Sequence, residues 1–348
     1  MKTVTIIGSG QMGSALAFPL RENGNEVRLV GTHLDREIID ACRTTNRHPK
    51  FKYDFPEGVR FFQVDDVDEA IDGADFVICG VSSFGVEWFG TEIMPRIPEE
   101  TPILSVTKGL QNLEDGTLIT YPEVWRRMLA ERGLKRNLNA IGGPCTSYEL
   151  VFHDQTQVSF CGEDMETLRM MRETMQTSYY HISITTDVVG VESAVALKNA
   201  YAFGVALTIG LNQKEHGIDS ELHFNSQAAV FGQATREMAK SLAIQGAPDL
   251  NNLCVGVGDL YVTVYGGRTR LIGTLLGRGL SIDEALAQLQ GVTLESLVVS
   301  RRVAEAFRVK AAAGEIDIDE FPLLCHIDDI ISNGAEVDIP WERFTYEG

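Results

Sequence analysis

A glycine-rich segment near the start of the chain restricts the possible folds more than any other feature. The apolar run Val4–Ile7 leads into the sequence GSGQMG, and a helical pattern follows. The spacing G-x-G-x-x-G between a strand and a helix is typical of dinucleotide-binding loops. Gly8 permits the tight turn, Gly10 lets the backbone approach a pyrophosphate, and Gly13 allows close packing of the helix on the strand, while free N–H groups at the helix start bind the anion. The sequence therefore predicts a cofactor-binding loop formed by Gly8, Ser9, Gly10, Gln11, Met12 and Gly13.

The end of the second predicted strand bears on which dinucleotide binds. An acidic residue there bonds the ribose 2′-hydroxyl and excludes a 2′-phosphate. The strand ends in the sequence LVGTH, with no carboxylate at Gly31 or Thr32, and Asp35 is predicted to lie already in the next helix. We therefore expect an NAD(P) site that tolerates or prefers NADP(H), with Thr32 and His33 near the phosphate. The alternative is that His33 is an ordinary loop residue.

The first 185 residues alternate short β-rich runs with helical patterns, and several runs are nearly all apolar, as strands buried on both faces are. Strands are predicted at Val4–Ile7, Glu26–Val30, Val59–Phe62, Phe76–Gly80, Ile103–Thr107, Asn139–Gly142 and Gln157–Cys161. Helices are predicted at Met12–Asn23, Asp35–Cys42, Val67–Ile71 and Pro122–Arg132. This alternation predicts an α/β fold with a doubly wound, Rossmann-like parallel sheet.

After a last strand at His181–Thr186 the pattern changes to long helices. These are predicted at Val191–Leu211, Ser226–Ile244, Arg268–Arg278, Ile282–Leu289, Leu297–Ala313 and Glu320–Ile331. We therefore expect a dinucleotide-binding Rossmann-like domain over residues 1–187, followed by an all-α substrate and catalytic domain over residues 188–348.

Charge and cysteine spacing exclude several classes of partner. Thirty Lys and Arg against 49 Asp and Glu give the chain of 348 residues a net charge of −19, which would repel a nucleic acid backbone or an anionic bilayer. The six Cys residues lie far apart, with no spacing suited to zinc, and indicate free thiols in a reducing cytoplasm. We expect a cytoplasmic protein with no metal site and with no nucleic acid or membrane partner.

Two segments of the helical half carry candidate catalytic side chains. Lys198 would lie above Ala194 and Val195 on one helix face, and burial there favours the neutral amine that a lysine needs to accept and return a proton near neutrality. A surface lysine on an amphipathic helix is the alternative. Asp259 and Thr263 are four residues apart, so they share a face if the segment is helical, and the carboxylate could orient Lys198.

Two further segments place cations where an anion could bind. The sequence YGGRTR from Tyr265 to Arg270 combines glycines, a hydroxyl and guanidinium groups at a predicted helix start, a combination that suits a phosphate. An ordinary turn and a solvated helix face are the alternatives. Lys108 follows the carboxyl end of a predicted strand, where doubly wound sheets bind ligands. Cations gathered in an acidic protein predict a small anionic substrate.

Taken together, these segments resemble the NAD(P)-dependent glycerol-3-phosphate dehydrogenases from Gly8 to about residue 335. The motifs are Gly8–Gly13, Val106–Gly109, Gly143–Ser147, Thr186–Val188 with Ala196–Asn199, Asn225 with Ala228 and Ala229, Gly258–Leu260 and Tyr265–Arg268. The resemblance implies that Lys198 donates and accepts the proton, supported by Asp259. It implies substrate contacts for Lys108, Asn199, Thr263, Arg268 and Thr269, and cofactor contacts for Phe84, Ser147, Arg268 and Glu295. It also implies a homodimer.

The chain departs from the family pattern at several positions. Thr269 replaces an Asn, Gly232 an Arg and Ser296 a Gly, while the segment Asn212–Phe224 is longer and more charged than in the family. We expect reversible hydride transfer between nicotinamide C4 and C2 of dihydroxyacetone phosphate. A same-fold dehydrogenase for another polyol phosphate or a hydroxy acid is one alternative, and a non-catalytic dinucleotide sensor is another.

Overall fold

The computed structural model describes residues 1–290 and 294–347. Its strands are β1 (Thr3–Ile7), β2 (Glu26–Val30), β3 (Val59–Phe62), β4 (Phe76–Cys79), β5 (Ile103–Ser105), β6 (Leu110–Asn112), β7 (Leu118–Thr120), β8 (Leu138–Gly142), β9 (Thr156–Gly162) and β10 (Tyr180–Thr185). Its helices are α1 (Gln11–Ala15), α2 (Ala17–Glu22), α3 (Arg36–Thr45), α4 (Val67–Ile71), α5 (Val86–Trp88), α6 (Tyr121–Ala130), α7 (Ser147–Val151), α8 (Met165–Met175), α9 (Val188–His216), α10 (Phe224–Ile244), α11 (Leu250–Gly266), α12 (Arg268–Gly277), α13 (Ile282–Gln288), α14 (Glu295–Ala312) and α15 (Pro322–Asn333).

The described chain divides into two compact units. One contains Met1–Lys108 and Tyr121–Glu192, and the other contains Gly109–Thr120 and the described residues from Ser193 onward. The antiparallel hairpin of β6 and β7 therefore groups with the helical unit, where Arg302 donates a hydrogen bond to the Leu110 carbonyl oxygen at 2.9 Å. The sequence pattern does not predict this hairpin.

A mostly parallel sheet forms the first unit. Within the described residues its eight strands lie in the order β10-β9-β8-β5-β4-β1-β2-β3. The strands from β3 to β8 in this order are parallel, while β9 pairs antiparallel with β8 and parallel with β10. Val4 and Ile6 of β1 pack in one apolar cluster and Ile7 in another, as expected for a strand covered on both faces. The predicted Rossmann-like α/β fold is confirmed.

The helix predicted at Met12–Asn23 is interrupted. Helix α1 ends at Ala15 and α2 begins at Ala17, because Pro19 has no N–H to donate to the carbonyl oxygen of Ala15. The next helix, α3, begins at Arg36, so Asp35 precedes it as the capping residue instead of lying inside it. The Asp35 side chain is therefore free of the helix and can reach the glycine loop between β1 and α1.

Helix α9 forms the centre of the helical unit. Among the described residues it is the one helix long and apolar enough to cross a membrane, but 94% of its most apolar window is buried, as in the core helix of a globular protein. Small residues let its neighbours approach closely: a Cβ atom added at Gly256 of α11 would lie 2.9 Å from the Ala194 Cβ. Gly256 and Asp259 therefore belong to one helix, α11, which packs directly on α9.

Candidate active site

The glycine loop between β1 and α1 has the geometry of a dinucleotide cradle. Gly8 has φ +109°, and a Cβ there would lie 2.7 Å from the backbone of Gly80, so only glycine fits. A Cβ at Gly13 would overlap the Gly8 carbonyl oxygen. Gly10 differs, because a Cβ there would meet no described atom closer than 3.9 Å. Packing within the protein does not require glycine at this position, and its exposed face leaves room for a pyrophosphate.

Asp35 supports this loop, contrary to the expectation that it lies inside the next helix. Its Oδ2 atom accepts hydrogen bonds from the Thr32 N–H at 2.9 Å, the Thr32 hydroxyl at 2.8 Å and the Ser9 N–H at 3.3 Å. A carboxylate therefore does lie beside the end of the second strand. Thr32 is buried, its hydroxyl is engaged by this carboxylate, and the neighbouring His33 is exposed.

His48 contacts the carbonyl group of Ser9, a contact that sequence spacing alone does not suggest. Its Nε2 atom lies 3.1 Å from the Ser9 carbonyl oxygen, and its Nδ1 atom accepts from the Lys50 N–H at 3.1 Å. These two contacts assign the neutral tautomer with the proton on Nε2. Burial lowers the pKa of His48, which also favours the neutral ring. The backbone N–H and the carbonyl group of Ser9 are thus both held by side chains.

Three predicted ligand-binding residues follow the carboxyl ends of parallel strands. Phe84 lies after β4 and is exposed, Lys108 lies after β5, and Ser147 begins α7 after β8. The Lys108 Nζ donates to the Gly143 carbonyl oxygen at 3.2 Å. Carboxyl ends of the strands are where open α/β sheets bind ligands.

The helical unit brings Lys198, Asp259 and Thr263 together. Lys198 Nζ lies 2.7 Å from Asp259 Oδ1 and 2.7 Å from Thr263 Oγ1. Asp259 is 1% exposed, and the Lys198 side chain is 12% exposed. The Thr263 hydroxyl donates to the Asp259 carbonyl one helical turn earlier, so its oxygen is oriented to accept from the lysine. The Asp259 carboxylate and the Thr263 hydroxyl thus both bind the ammonium group in a largely dehydrated position.

Packing of two helices creates this contact. Ala194 of α9 and Gly256 of α11 touch, and the polar pair lies about one helical turn further along each helix. Asn199 follows Lys198 and is also buried. Tyr201, further along α9, has a buried hydroxyl, and burial raises the pKa of this group well above its usual range.

The segment Tyr265–Arg270, predicted to suit a phosphate, follows Thr263 closely in the chain. The Gly267 N–H donates to the Thr263 carbonyl oxygen at 3.0 Å, and α12 then begins at Arg268. Arg268 is exposed, Thr269 is buried, and Arg270 donates to the Tyr265 carbonyl oxygen at 3.1 Å. The helix start thus combines backbone N–H groups with an exposed guanidinium group.

Glu295 begins α14 and is partly buried. It comes two residues after the undescribed segment 291–293. The neighbouring Ser296 is buried, and its hydroxyl has no hydrogen-bond partner among the described residues. Residues 1–290 and 294–347 contain no group of three His, Cys, Asp or Glu side chains arranged to hold a metal ion.

The fold and the glycine loop define a Rossmann-type dinucleotide-binding protein with a helical second unit. A family model described as the N-terminus of NAD-dependent glycerol-3-phosphate dehydrogenase matches residues 3–168, and the corresponding C-terminal model matches residues 187–342. The chain therefore belongs to the NAD-dependent glycerol-3-phosphate dehydrogenase family, as its motifs predict.

Individual relatives agree with this assignment. The NADP(+)-dependent glycerol-3-phosphate dehydrogenase of Archaeoglobus fulgidus is 35% identical over 337 residues, which cover 96% of each chain. A glycerol-3-phosphate dehydrogenase (NAD(P)+) of Myxococcus xanthus is 28% identical over 92% of this chain and 90% of its own. The crystal structure of glycerol-3-phosphate dehydrogenase from Coxiella burnetii matches with a TM-score of 0.79 at 23% identity, covering 99% of this chain and 97% of that one, and shows the same fold.

Proposed function

We propose that this chain is an NAD(P)-dependent glycerol-3-phosphate dehydrogenase, which interconverts dihydroxyacetone phosphate and glycerol 3-phosphate. Membership of the family supports the reaction class, and the buried contact of Lys198 with Asp259 and Thr263 is the observation that carries the assignment of the acid. When bound, the nicotinamide supplies or accepts the hydride at C2 of the substrate.

Lys198 is the proton donor for reduction. As hydride reaches C2, negative charge develops on the carbonyl oxygen, and the ammonium group of Lys198 gives that oxygen a proton. In the reverse direction the neutral amine removes the hydroxyl proton of glycerol 3-phosphate. Asp259 and Thr263 hold the Nζ atom by two hydrogen bonds of 2.7 Å, which fixes its direction and stabilises its charged form.

Substrate contacts are proposed for Lys108, Asn199, Thr263, Arg268 and Thr269. A phosphate dianion needs several donors around its oxygens, and the start of α12 offers backbone N–H groups with the exposed Arg268 guanidinium. Lys108 adds a second cation in a protein whose overall charge is −19. A carboxylate substrate would need fewer donors, so the segment favours a phosphate.

Cofactor contacts are proposed for the loop residues Gly8, Ser9, Gly10, Gln11, Met12 and Gly13, and for Thr32, Phe84, Ser147, Arg268 and Glu295. The open face at Gly10 fits the pyrophosphate. The chain uses NAD(P), as relatives of this family do, with NADP(H) tolerated. Because Asp35 already accepts three hydrogen bonds from the loop and from Thr32, its charge is partly satisfied before a ribose arrives.

The wider organisation is also part of the proposal. The break between the two family models, from residue 168 to residue 187, supports a dinucleotide-binding domain over residues 1–187 and a helical domain over residues 188–348. We propose a cytoplasmic homodimer that acts on a small phosphorylated substrate. The charge of −19 supports the absence of nucleic acid and anionic membrane partners.

The test is a panel assay with matched lysine variants. Three-, four- and five-carbon keto-phosphates and a keto acid are offered with NADH and with NADPH, and oxidation of the cofactor is followed by absorbance. Lys198→Met should lower kcat on the order of 10²–10⁴-fold with little change in dinucleotide affinity. Lys240→Met is the control, because Lys240 is exposed and forms an ion pair at 3.1 Å with Glu320, which has no part in the proposed site.

Each alternative function predicts a distinct result in this panel. Turnover of the keto acid but not of keto-phosphates would identify a hydroxy-acid dehydrogenase. Turnover of longer keto-phosphates alone would identify another polyol phosphate as substrate. Tight dinucleotide binding without any turnover would identify a sensor. Unchanged kcat in Lys198→Met would refute the assignment of the acid.

A further inference from the structure

Glu192 is a buried carboxyl group that the reaction described above does not use. It is the fifth residue of α9, it is 0% exposed, and neither of its oxygen atoms has a hydrogen-bond partner among the described residues. Most buried polar groups in proteins are hydrogen-bonded, and each exception needs an explanation. Burying a polar group without a hydrogen bond costs free energy, and a leucine of similar volume would avoid that cost. A carboxyl group at this position therefore suggests a use for its charge.

The charged groups that interact electrostatically with Glu192 indicate what its charge can act on. The ammonium group of Lys108 attracts its charged form, while burial opposes that form more strongly and raises the pKa of Glu192 to about 8. The thiol of Cys161 in β9 has its pKa raised by burial and by the charges of Glu192 and Asp187. Neither the thiol nor the Asp187 carboxylate stabilises a negative charge on Glu192, so among these groups Lys108 is the cation that interacts favourably with it.

We propose that Glu192 is a positioning residue that controls how much of the Lys108 charge is available to the substrate. While Glu192 is protonated, it carries no charge and does not weaken the attraction of Lys108 for an anionic substrate. When Glu192 ionises, the two groups attract each other, and Glu192 competes with the substrate for the same ammonium group. The inference rests on the proposed role of Lys108 in substrate binding.

Substrate binding and protonation of Glu192 are then linked. A phosphorylated anion at Lys108 would disfavour a second negative charge beside it, so binding near pH 8 takes up a proton on Glu192. Affinity for the substrate should therefore fall as the pH rises through 8. Titration of the other basic groups also contributes to such a fall, which makes the comparison with a neutral variant decisive.

Glu192→Gln is the test variant, since an amide has the shape of the protonated acid but cannot ionise. The KM for dihydroxyacetone phosphate is measured from pH 6.5 to pH 9 for the wild type, for Glu192→Gln and for the control Glu131→Gln at an exposed position. At pH 6.5 all three should agree within about twofold. At pH 9 the wild type and the control should have a KM roughly three- to tenfold above that of Glu192→Gln, while kcat remains similar.

A second measurement does not depend on turnover. The infrared spectrum of the wild type minus that of Glu192→Gln should contain the carbonyl stretch of a protonated carboxylic acid at pH 6.5, and this band should disappear with a midpoint near pH 8. Added inorganic phosphate should move the midpoint to higher pH. A carboxylate band already present at pH 6.5 would overturn the inference.

The outcomes separate this inference from the proposed function. If the wild type turns over no keto-phosphate, the proposed function fails, and the infrared titration with phosphate still decides the role of Glu192. If the wild type is active but Glu192→Gln has the same KM at every pH, the inference fails alone. A KM raised equally at every pH would show that Glu192 serves only packing, which also overturns it. If Glu192→Gln does not fold, calorimetry of the wild type in two buffers at pH 8 measures how many protons are taken up when phosphate binds. Absence of proton uptake in that experiment would refute the inference.

Discussion

Replacing Gly256 by Ala should slow catalysis through a small displacement of one helix. An added Cβ would lie 2.9 Å from both the Cβ and the carbonyl oxygen of Ala194 and 2.8 Å from the Met238 Cε. The Met238 methyl group can rotate away, but the Ala194 atoms are fixed in α9. Because carbon contacts are most favourable near 3.5 Å, α11 must move from α9 by about 0.6 Å.

The displacement acts on the hydrogen bond between Asp259 and Lys198, the proposed proton donor. Asp259 lies about one turn after Gly256, so its hydrogen bond to Lys198, now 2.7 Å, would lengthen to about 3.3 Å if the whole shift reached it. Misplacement by about 1 Å can cost roughly 10²-fold in rate, so a shift of this size should lower kcat about tenfold. The free energy of unfolding should fall by about 0–2 kcal/mol, because overpacking of about 1–3 kcal/mol is partly offset by a gain of about 1 kcal/mol from replacing a helical glycine.

Gly232→Ala is the matched control for this substitution. Gly232 lies inside α10, and an added Cβ would meet no described atom within 4 Å. This variant should be more stable than the wild type by about 0.5–1 kcal/mol and should keep its kcat. Urea unfolding and initial rates with saturating NADPH measure both quantities. If Gly256→Ala matched Gly232→Ala in stability and in kcat, the close approach of α11 to α9 would have no role in aligning Lys198.

Two further predictions concern the buried groups His48 and Glu237. His48→Phe keeps a ring in place but removes one donor to the Ser9 carbonyl oxygen and leaves the Ser14 hydroxyl, which donates to the same oxygen at 3.2 Å. The dissociation constant for the dinucleotide, measured by fluorescence titration, should rise about three- to tenfold with little change in kcat at saturation. An unchanged constant would contradict the role of His48 in supporting the loop. Glu237 accepts the Leu323 and Leu324 N–H groups at the start of α15, yet burial raises its pKa to about 7. Since folding raises this pKa, the titration of Glu237 contributes to the free energy of unfolding. The contribution is complete below about pH 4.5 and is lost as the pH rises through 7. The unfolding free energy of the wild type relative to Glu237→Gln should therefore fall by about 2–3 kcal/mol between pH 5 and pH 9, and a difference independent of pH would contradict this.

The sheet could be predicted because its signal is local. Strands such as β4, with all four residues buried, appear in the sequence as short apolar runs, and the glycine loop fixes where the first of them ends. The hairpin of β6 and β7 has no such signal, since each of its strands is only three residues long. Its position depends on contacts with α14, such as that of Asn112 with Glu305 at 3.0 Å, which are remote in sequence.

The uncertainty of helix boundaries explains why the sequence does not predict the contact of Asp35 with the glycine loop. Asp35 lies one residue before α3, where a capping position and a first helical residue look alike in sequence. That single residue decides whether the carboxylate continues along the helix or turns back to Ser9 and Thr32, as it does here. His48 contacts Ser9 across 39 positions of the chain, a contact that no local pattern predicts.

The polar residues of the helical unit differ in how far sequence could place them. Asp259 and Thr263 share a helix face because they are four residues apart, and that spacing is visible in the sequence. Their contact with Lys198, more than sixty residues away, exists because Ala194 and Gly256 are small enough for two helices to touch. Glu192 shows the reverse case, since its sequence context is that of an ordinary charged residue near a helix start. The proposal for it depends on its burial and on its lack of a hydrogen-bond partner within residues 1–290 and 294–347. Spacing along one helix therefore predicts which side chains share a face. The packing between helices decides which side chains of other helices they contact.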